Sequence, residues 1–342
     1  MTTRGKKAVK LLVRIIITTL LLVLVFSQID FSQFWQTVRK ARWQYLLAVW
    51  IFTVILFWIR CITLQLILRK QNCYIKVATL FRASAISSLY SMIMPGMLST
   101  GAKWYILKKD TGKGTSVFSS MVYNQLSIII SATVCALAAL ILTNPATIIL
   151  NNTKNQWMLP VLCIVLLVMV ILVAVLLLNS RTGGVVIQSL RFLLKAFPSK
   201  IRQKGQEVLD QIAVFQVAGW RFHAIIAFIT TGGTFIGAFA IFLFAARAAN
   251  INVSPSVFLW LWPFIYIVGR LPISVANLGV REISLVGILS LYGVEKSSAL
   301  LMSMILFSAL ILMAMIGAVL QFSWVLWTDS KSSKTASTKS FQ

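Results

Sequence analysis

The chain alternates long apolar runs with short basic segments. A run of roughly 20 apolar residues is long enough for an α-helix to cross about 30 Å of hydrocarbon. We predict six spans on this pattern, at residues 15–26, 43–68, 116–143, 157–178, 222–246 and 298–327. The first run follows a basic cluster as a signal sequence does, but no small-residue cleavage site follows it, so we keep it as a span. The pattern predicts an all-α polytopic membrane protein.

Two further apolar stretches, 77–107 and 256–292, do not have the pattern of simple spans. Each contains internal cations and a central proline, which removes a backbone donor and breaks a helix. Irregular backbone at membrane depth is tolerated only where protein or a water-filled cavity satisfies it. We therefore predict two re-entrant or broken hairpins, whose opening is shaped by a set of proline, glycine and asparagine residues: Pro95, Gly96, Gly101, Pro272, Asn277 and Gly279.

The two halves of the chain resemble each other in the distance from the start of a span to the proline of the broken hairpin. Pro95 follows the span that begins at Trp43 at nearly the same distance as Pro272 follows the span that begins at Arg221. The two hairpins would enter the membrane from opposite sides. We predict an inverted-topology repeat, which is typical of transporters that bind their substrate near the midplane of the bilayer.

A single membrane domain over residues 1–328 is predicted to contain both halves. Between them, residues 181–217 form a basic amphipathic stretch that we expect to lie flat on the inner leaflet. A solvated linker is the alternative for this stretch. Residues 329–342 are rich in Ser, Thr and Lys, a composition that predicts a disordered tail.

Small residues recur in the run from Gly232 and Gly233 to Gly237. This spacing is typical of helices that approach each other closely inside a membrane. We interpret it as a packing surface rather than a chemical site.

The overall composition excludes a soluble protein. Hydrophobic residues make up 59% of the 342 residues and charged residues 11%, against roughly 25% charged in an ordinary globular domain. Seven acids and one histidine leave little material for acid–base or metal chemistry. The chain has no nucleotide-binding or hydrolase motif. We predict no catalytic residues, no metal and no cofactor, although a membrane-embedded enzyme stays open as an alternative.

The net charge of +25 is explained better by a membrane surface than by nucleic acid, because the basic residues lie between apolar runs. Cytoplasmic loops of membrane proteins carry an excess of Lys and Arg. Most of the 32 Lys and Arg residues lie in segments 1–14, 69–114, 179–221 and 329–342. We therefore expect a multi-pass protein of a bacterial or archaeal cytoplasmic membrane, with both termini in the cytoplasm.

The second broken stretch carries the strongest indication of a binding site. Arg281 and Glu282 come directly after the break, and Arg270 comes directly before Pro272. A charge at mid-bilayer costs about 2.5–3.5 kcal/mol on insertion scales, so it needs a partner or a role. Arg281 is predicted to hold a phosphate while Glu282 orients it. The alternative is that this pair only pins the hairpin.

Two cations in the first half are further candidates for substrate binding. Lys103 follows the Pro95–Gly96 break and is a possible second anchor for an anion. Arg60 lies inside the second predicted span. For both residues the alternative is a long side chain that reaches from the apolar region to the water interface.

These motifs resemble the lysylphosphatidylglycerol synthase transmembrane-region family, a flippase-like domain also found in some archaeal glycosylation proteins. The resemblance covers roughly residues 10–327. It is carried by the segments Leu271-Pro-Ile-Ser and Leu278-Gly-Val-Arg-Glu282, by Gly293-Val294 and Ala299, and by the Arg60 span and Met94-Pro95-Gly96. The resemblance implies that, in bifunctional members of the family, this domain moves the lysyl-lipid that an attached soluble domain makes. The chain ends shortly after its last span, so we expect no such synthase domain.

The first half departs from the family pattern. Members often have an acid where this chain has Gly101-Ala-Lys103, and an acid–arginine pair where it has Asn124-Gln125. The resemblance therefore implies the fold more strongly than the substrate.

We expect a flippase-like transporter that binds and moves an anionic phospholipid or a lipid-linked glycan precursor. The alternative is a membrane-embedded transferase, or an accessory or scaffold subunit, in cell-envelope polysaccharide or lipid-linked glycan synthesis. The expected partners are anionic membrane lipids and enzymes that modify lipids or build envelope glycans. The sequence leaves oligomerisation open.

Overall fold

The computed structural model describes residues 31–93, 96–146, 157–178, 218–269 and 279–339, with a few isolated positions between 183 and 215. Its described elements are all helical and include no strand. They are α1 (Phe31–Arg39), α2 (Gln44–Lys70), α3 (Val77–Ile93), α4 (Gly96–Thr111), α5 (Gly114–Thr143), α6 (Met158–Leu178), α7 (Trp220–Ala248), α8 (Pro255–Val268), α9 (Val280–Leu291) and α10 (Lys296–Lys339). The prediction of an all-α polytopic membrane protein is confirmed.

Five described helices are long and apolar enough to cross a membrane: Gln44–Lys70, Gly114–Thr143, Met158–Leu176, Trp220–Ala248 and Lys296–Phe322. They match five of the six spans predicted from sequence, and each predicted boundary lies within a few residues. The remaining predicted span, 15–26, lies outside the described residues. So does most of the amphipathic stretch 181–217.

In both predicted broken stretches the structure describes two helices, one before and one after residues 94–95 or residues 270–278. In the first, α3 ends at Ile93 and α4 begins at Gly96. The Ser87 hydroxyl donates to the carbonyl of Ser99 at 2.7 Å, which holds the two helices against each other as a hairpin. In the second, α8 ends at Val268 and α9 begins at Val280. The inverted orientation of the two hairpins stays a prediction.

Helix α10 is central to the bundle. It packs against α1, α2, α3, α7 and α9. Two hydrogen bonds between helices hold it in place: the Trp50 indole donates to Ser308 Oγ at 3.0 Å, and the Gln321 amide donates to Tyr90 Oη at 3.0 Å. Its approach to α3 is so close that a Cβ on Gly317 would lie 2.1 Å from the carbonyl oxygen of Ala85. Only glycine fits there without a backbone shift.

Helix α10 also extends to Lys339, well beyond Phe322 where its apolar part ends. The disordered tail over residues 329–342 stays a prediction.

Helix α7 crosses α2 through the small residues noted in the sequence. A Cβ on Gly233 would lie 2.6 Å from Ile59 Cγ2, and one on Gly237 would lie 3.2 Å from Leu56 Cδ1. The predicted close packing is confirmed at Gly233 and Gly237, whereas nothing lies within 4 Å of a Cβ on Gly232. The sequence did not predict that residues Thr230–Phe235 form a π-helical turn within α7. Such turns lie mostly inside α-helices as local bulges.

Candidate functional site

The predicted site residues of the second broken stretch lie around the first turn of α9. Gly279 precedes this helix with φ at +86°, a left-handed conformation that glycine adopts without steric cost. Its N–H donates to Glu282 Oε2 at 2.7 Å. A carboxylate in the first turn satisfies an otherwise orphaned backbone donor and interacts favourably with the helix dipole. Glu282 is therefore a cap of α9.

The other carboxylate oxygen of Glu282 joins α9 to α10. Glu282 Oε1 accepts hydrogen bonds from Arg281 Nη2 at 2.5 Å and from Ser303 Oγ at 2.9 Å. Arg281 Nε donates to Ser303 Oγ at 3.0 Å, and the guanidinium carbon lies 5.3 Å from the centre of the Phe307 ring. Glu282 is only 5% exposed. The three polar side chains form a closed, charge-balanced group, here called the Arg281–Glu282–Ser303 cluster.

This cluster leaves one part of the guanidinium unused. Two of the three Arg281 nitrogens bond to Glu282 and Ser303, whereas Nη1 makes no hydrogen bond to any of the described residues. The side chain is 10% exposed. Arg281 can thus offer a donor to a ligand, but most of its bonding capacity holds α9 against α10.

Lys103 lies in the second turn of α4 and is half-buried. Its electrostatic neighbours are the Cys61 thiol and the Arg60 guanidinium, both on α2. The Cys61 sulfur lies 3.6 Å from Ser84 Oγ on α3, so three helices meet at this point. Within the described part of the chain, Lys103 forms no ion pair with an acid.

Arg60 extends this region towards α5 and α8. Its guanidinium carbon lies 5.9 Å from the centre of the Tyr266 ring. The Tyr266 hydroxyl in turn accepts a hydrogen bond from Gln125 Nε2 at 3.1 Å. The neighbouring Asn124 has a buried Oδ1 that accepts no hydrogen bond from any described residue. Arg60, Tyr266 and Gln125 thus lie together, and cations, phenols and amides bind anions and hydroxyls. We call Arg60 and Lys103, with these neighbours, the Arg60–Lys103 cluster.

The structure places the sequence-predicted residues in these two clusters as far as it describes them. Arg281 lies beside Glu282, and Arg60 lies within electrostatic range of Lys103. Gly101 lies inside α4 with open space where a Cβ would be, so packing does not require glycine there. Its role in shaping a cavity stays a prediction, as does that of Gly96. The other predicted residues lie outside the described residues: Pro95, Arg270, Pro272 and Asn277.

Sequence reasoning missed three residues that the structure adds, namely Ser303, Phe307 and Tyr266. A single serine or aromatic residue in an apolar span is common and carries no spacing signal. These residues become recognisable only when α8 and α10 are packed against the rest. Among the described residues, no three His, Cys, Asp or Glu side chains lie together as metal ligands would.

Comparison with known proteins gives one match. The family model described as the lysylphosphatidylglycerol synthase TM region matches residues 11–319, which is most of the chain. No curated protein and no solved structure matches it.

Proposed function

Since the chain belongs to the lysylphosphatidylglycerol synthase transmembrane-region family, we propose that it is a flippase-like transporter of an anionic lipid. It binds the headgroup of a phospholipid or a lipid-linked glycan precursor inside the bundle and moves it between leaflets. Its site is the Arg60–Lys103 cluster, with Arg281 as a contributor from the second half. We infer from the excess of Lys and Arg in four segments that both termini lie in the cytoplasm.

One observation carries this proposal: Lys103 is half-buried within electrostatic range of a second cation, and no acid of the described residues pairs with it. An ammonium removed from water needs a compensating negative charge. The membrane itself supplies anions, as lipid phosphates. A half-buried lysine on α4, within electrostatic range of α2, fits a phosphate that enters from the lipid.

The alternative of a membrane-embedded transferase is less well supported. A transferase needs an essential acid, and the sequence predicts Glu282 as the acid at the site. Both oxygens of Glu282 are engaged, with Gly279, Arg281 and Ser303 as donors. A general acid or base must reach the reacting group with an accessible oxygen. Glu282 is better suited to a structural role.

Lipid binding is tested by mass spectrometry of the lipids that co-purify with the wild type and with Lys103→Gln. We expect one anionic class to be enriched over the bulk membrane in the wild type and lost in the variant. Lys76→Gln is the matched control, because Lys76 is exposed just before α3. Bulk lipid composition in all three samples would contradict the proposal.

Movement across the bilayer is tested in vesicles of phosphatidylcholine and phosphatidylglycerol that contain acyl-labelled phosphatidylglycerol or phosphatidic acid. A membrane-impermeant reductant bleaches label in the outer leaflet. We expect wild type and Lys76→Gln to expose inner-leaflet label faster than empty vesicles, and Lys103→Gln to be slower. Equal rates in protein-containing and empty vesicles would refute transport of these lipids.

A further inference from the structure

Helix α1 lies at one end of the bundle and is too short to cross the membrane. Its nine residues reach only about 14 Å, against about 30 Å of hydrocarbon. One face of α1 packs onto the bundle. Phe34 and Val38 contact the buried apolar core, and Thr37 Oγ1 donates to Ser297 Oγ at the start of α10 at 3.4 Å. The remaining sides of α1 are not covered by the described part of the bundle.

The turn that follows α1 is fixed to the turn between α7 and α8. Asn250 Nδ2 donates to the carbonyl of Lys40 at 2.7 Å, and the Arg42 N–H donates to the carbonyl of Ala248 at 3.0 Å. Ala41, between the two bonded residues, is buried. Because the backbone of this turn is held in place, its side chains form a preorganised surface. Preorganisation lowers the entropic cost of binding a ligand.

The uncovered sides of α1 and the turn present two indoles and three cations. Trp35 and Trp43 are 57% and 50% exposed, and the basic side chains are exposed as well, namely Arg39, Lys40 and Arg42. These cations form no ion pair with an acid of the described residues. Leaving large apolar rings in water costs free energy. Tryptophan is enriched at the level of lipid headgroups, where both its ring and its N–H are accommodated.

The cations of this surface are not explained by the general distribution of charge. On the orientation inferred above, this end of the bundle faces away from the cytoplasm, where membrane proteins carry few Lys and Arg. Trp35 and Arg39 are four residues apart and therefore lie on the same flank of α1. An indole beside a guanidinium fits the boundary between acyl chains and phosphates, since the ring enters the apolar layer and the guanidinium binds phosphate.

We propose that α1 and the turn after it form an interfacial surface that binds the anionic phospholipid headgroups of the leaflet at this end of the bundle. The two indoles enter the boundary of the acyl chains, and the three cations bind phosphates. This surface is separate from the Arg60–Lys103 cluster and does not rest on the proposed transport. A lipid bound there is a neighbour that positions this end of the bundle, not a substrate.

The position of α1 is tested with an apolar fluorophore attached to Trp35→Cys in nanodiscs whose lipids carry bromine near the carboxyl end of the acyl chains. Bromine quenches a fluorophore only on close approach. Gln36→Cys is the matched control, because Gln36 is exposed and lies opposite the face that packs onto the bundle. We expect the label at residue 35 to be quenched at least about twofold more strongly than the label at residue 36.

Two results complete this first measurement. The wild type, treated with the same label, gives the background from the four native cysteines. Equally weak quenching at residues 35 and 36 would place α1 in water and would overturn the proposal.

The preference for anionic headgroups is tested with the label at residue 35 in nanodiscs of phosphatidylcholine and phosphatidylglycerol, with only one of the two lipids brominated. We expect brominated phosphatidylglycerol to quench at least about twofold more than its share of the lipid predicts. High salt should reduce the quenching to that share, because salt screens exposed charges. This comparison needs no change to the cations.

The variant Arg39→Gln/Lys40→Gln removes an arginine and a lysine from the end of α1. We expect its preference for phosphatidylglycerol to be lost. The matched control, Arg69→Gln/Lys70→Gln, removes the same pair of residue types from exposed positions at the end of α2, at the other end of the bundle. It should keep the preference of the wild type.

The outcomes that overturn the proposal are distinct. Quenching in proportion to lipid share in the wild type would show that this surface does not select anionic headgroups. A preference that survives in Arg39→Gln/Lys40→Gln would show that other groups cause it. A preference lost equally in the control would assign it to the net charge of the protein. Lipid binding inside the bundle is measured separately, by the comparison with Lys103→Gln.

Discussion

The Arg281–Glu282–Ser303 cluster and the Arg60–Lys103 cluster differ in how their charge is balanced. In the former, a carboxylate takes hydrogen bonds from an arginine, a serine and a backbone N–H, and the group is nearly closed to solvent. In the latter, Arg60 acts electrostatically on Lys103, and no acid of the described residues pairs with Lys103. The motif that stands out most in the sequence thus holds the bundle together, whereas the less conspicuous cations are suited to a ligand. A charged motif at membrane depth indicates a binding site only where neighbouring protein groups do not already balance its charge.

The largest effect is expected from Glu282→Gln, which removes the charge and keeps an oxygen that can cap α9. Arg281 is then buried without its counter-ion. Breaking a buried pair by removing one partner costs about 3–5 kcal/mol, and we expect the free energy of unfolding to fall by that amount in a denaturant titration in detergent. Arg281→Met/Glu282→Gln should recover part of the loss, because no unpaired charge remains. A single variant as stable as the wild type would contradict the structural role.

Gly317→Ala tests whether the position of α10, which carries Ser303, depends on its contact with α3. A Cβ at this position would meet the backbone oxygen of Ala85. Overpacking costs about 1–3 kcal/mol in well-packed cores, and we expect a loss of this size in the same titration. Gly287→Ala on α9 is the control, since nothing lies within 4 Å of its added Cβ. Equal stabilities of the two variants would refute the close contact.

Ser303→Ala removes one hydroxyl that donates to Glu282 and accepts from Arg281. A buried group that loses its hydrogen-bond partner costs about 1–3 kcal/mol, so we expect unfolding to become easier by roughly this amount. Ser290→Ala on α9 is the control, because among the described residues its hydroxyl bonds only to the carbonyl of Val286 in its own helix. If Ser290→Ala costs as much as Ser303→Ala, the bridge between α9 and α10 contributes nothing specific.

The smallest effect on stability is expected from Lys103→Gln. Its sign is opposite to that of the three variants above, which lower the free energy of unfolding. An amide costs less to desolvate than an ammonium, and the repulsion from Arg60 disappears. The free energy of unfolding should stay the same or rise by up to about 1 kcal/mol, while lipid binding is lost. A loss of several kcal/mol would show that Lys103 is a structural residue like Glu282, and the contrast between the two clusters would disappear.

The fold class and most element boundaries could be predicted from the sequence. Span length and apolar composition are local properties, and the bilayer thickness turns them directly into helices. The break between α3 and α4 was predictable for the same reason, since Pro95 acts on its own backbone and that of its neighbours. Close packing along Gly233 and Gly237 followed from side-chain size.

The sequence by itself determined which residues carry charge and that Arg60, Lys103, Arg281 and Glu282 belong to apolar surroundings. Only the tertiary structure decided which of these charges are balanced. Ser303 is 21 residues from Glu282 along the chain, and Gln125 is 141 residues from Tyr266. Their meeting depends on the rotation and crossing of packed helices, and similar apolar faces allow many such arrangements. The physical reason is that hydrophobic patterning is read along one helix, whereas charge compensation is a property of several helices together.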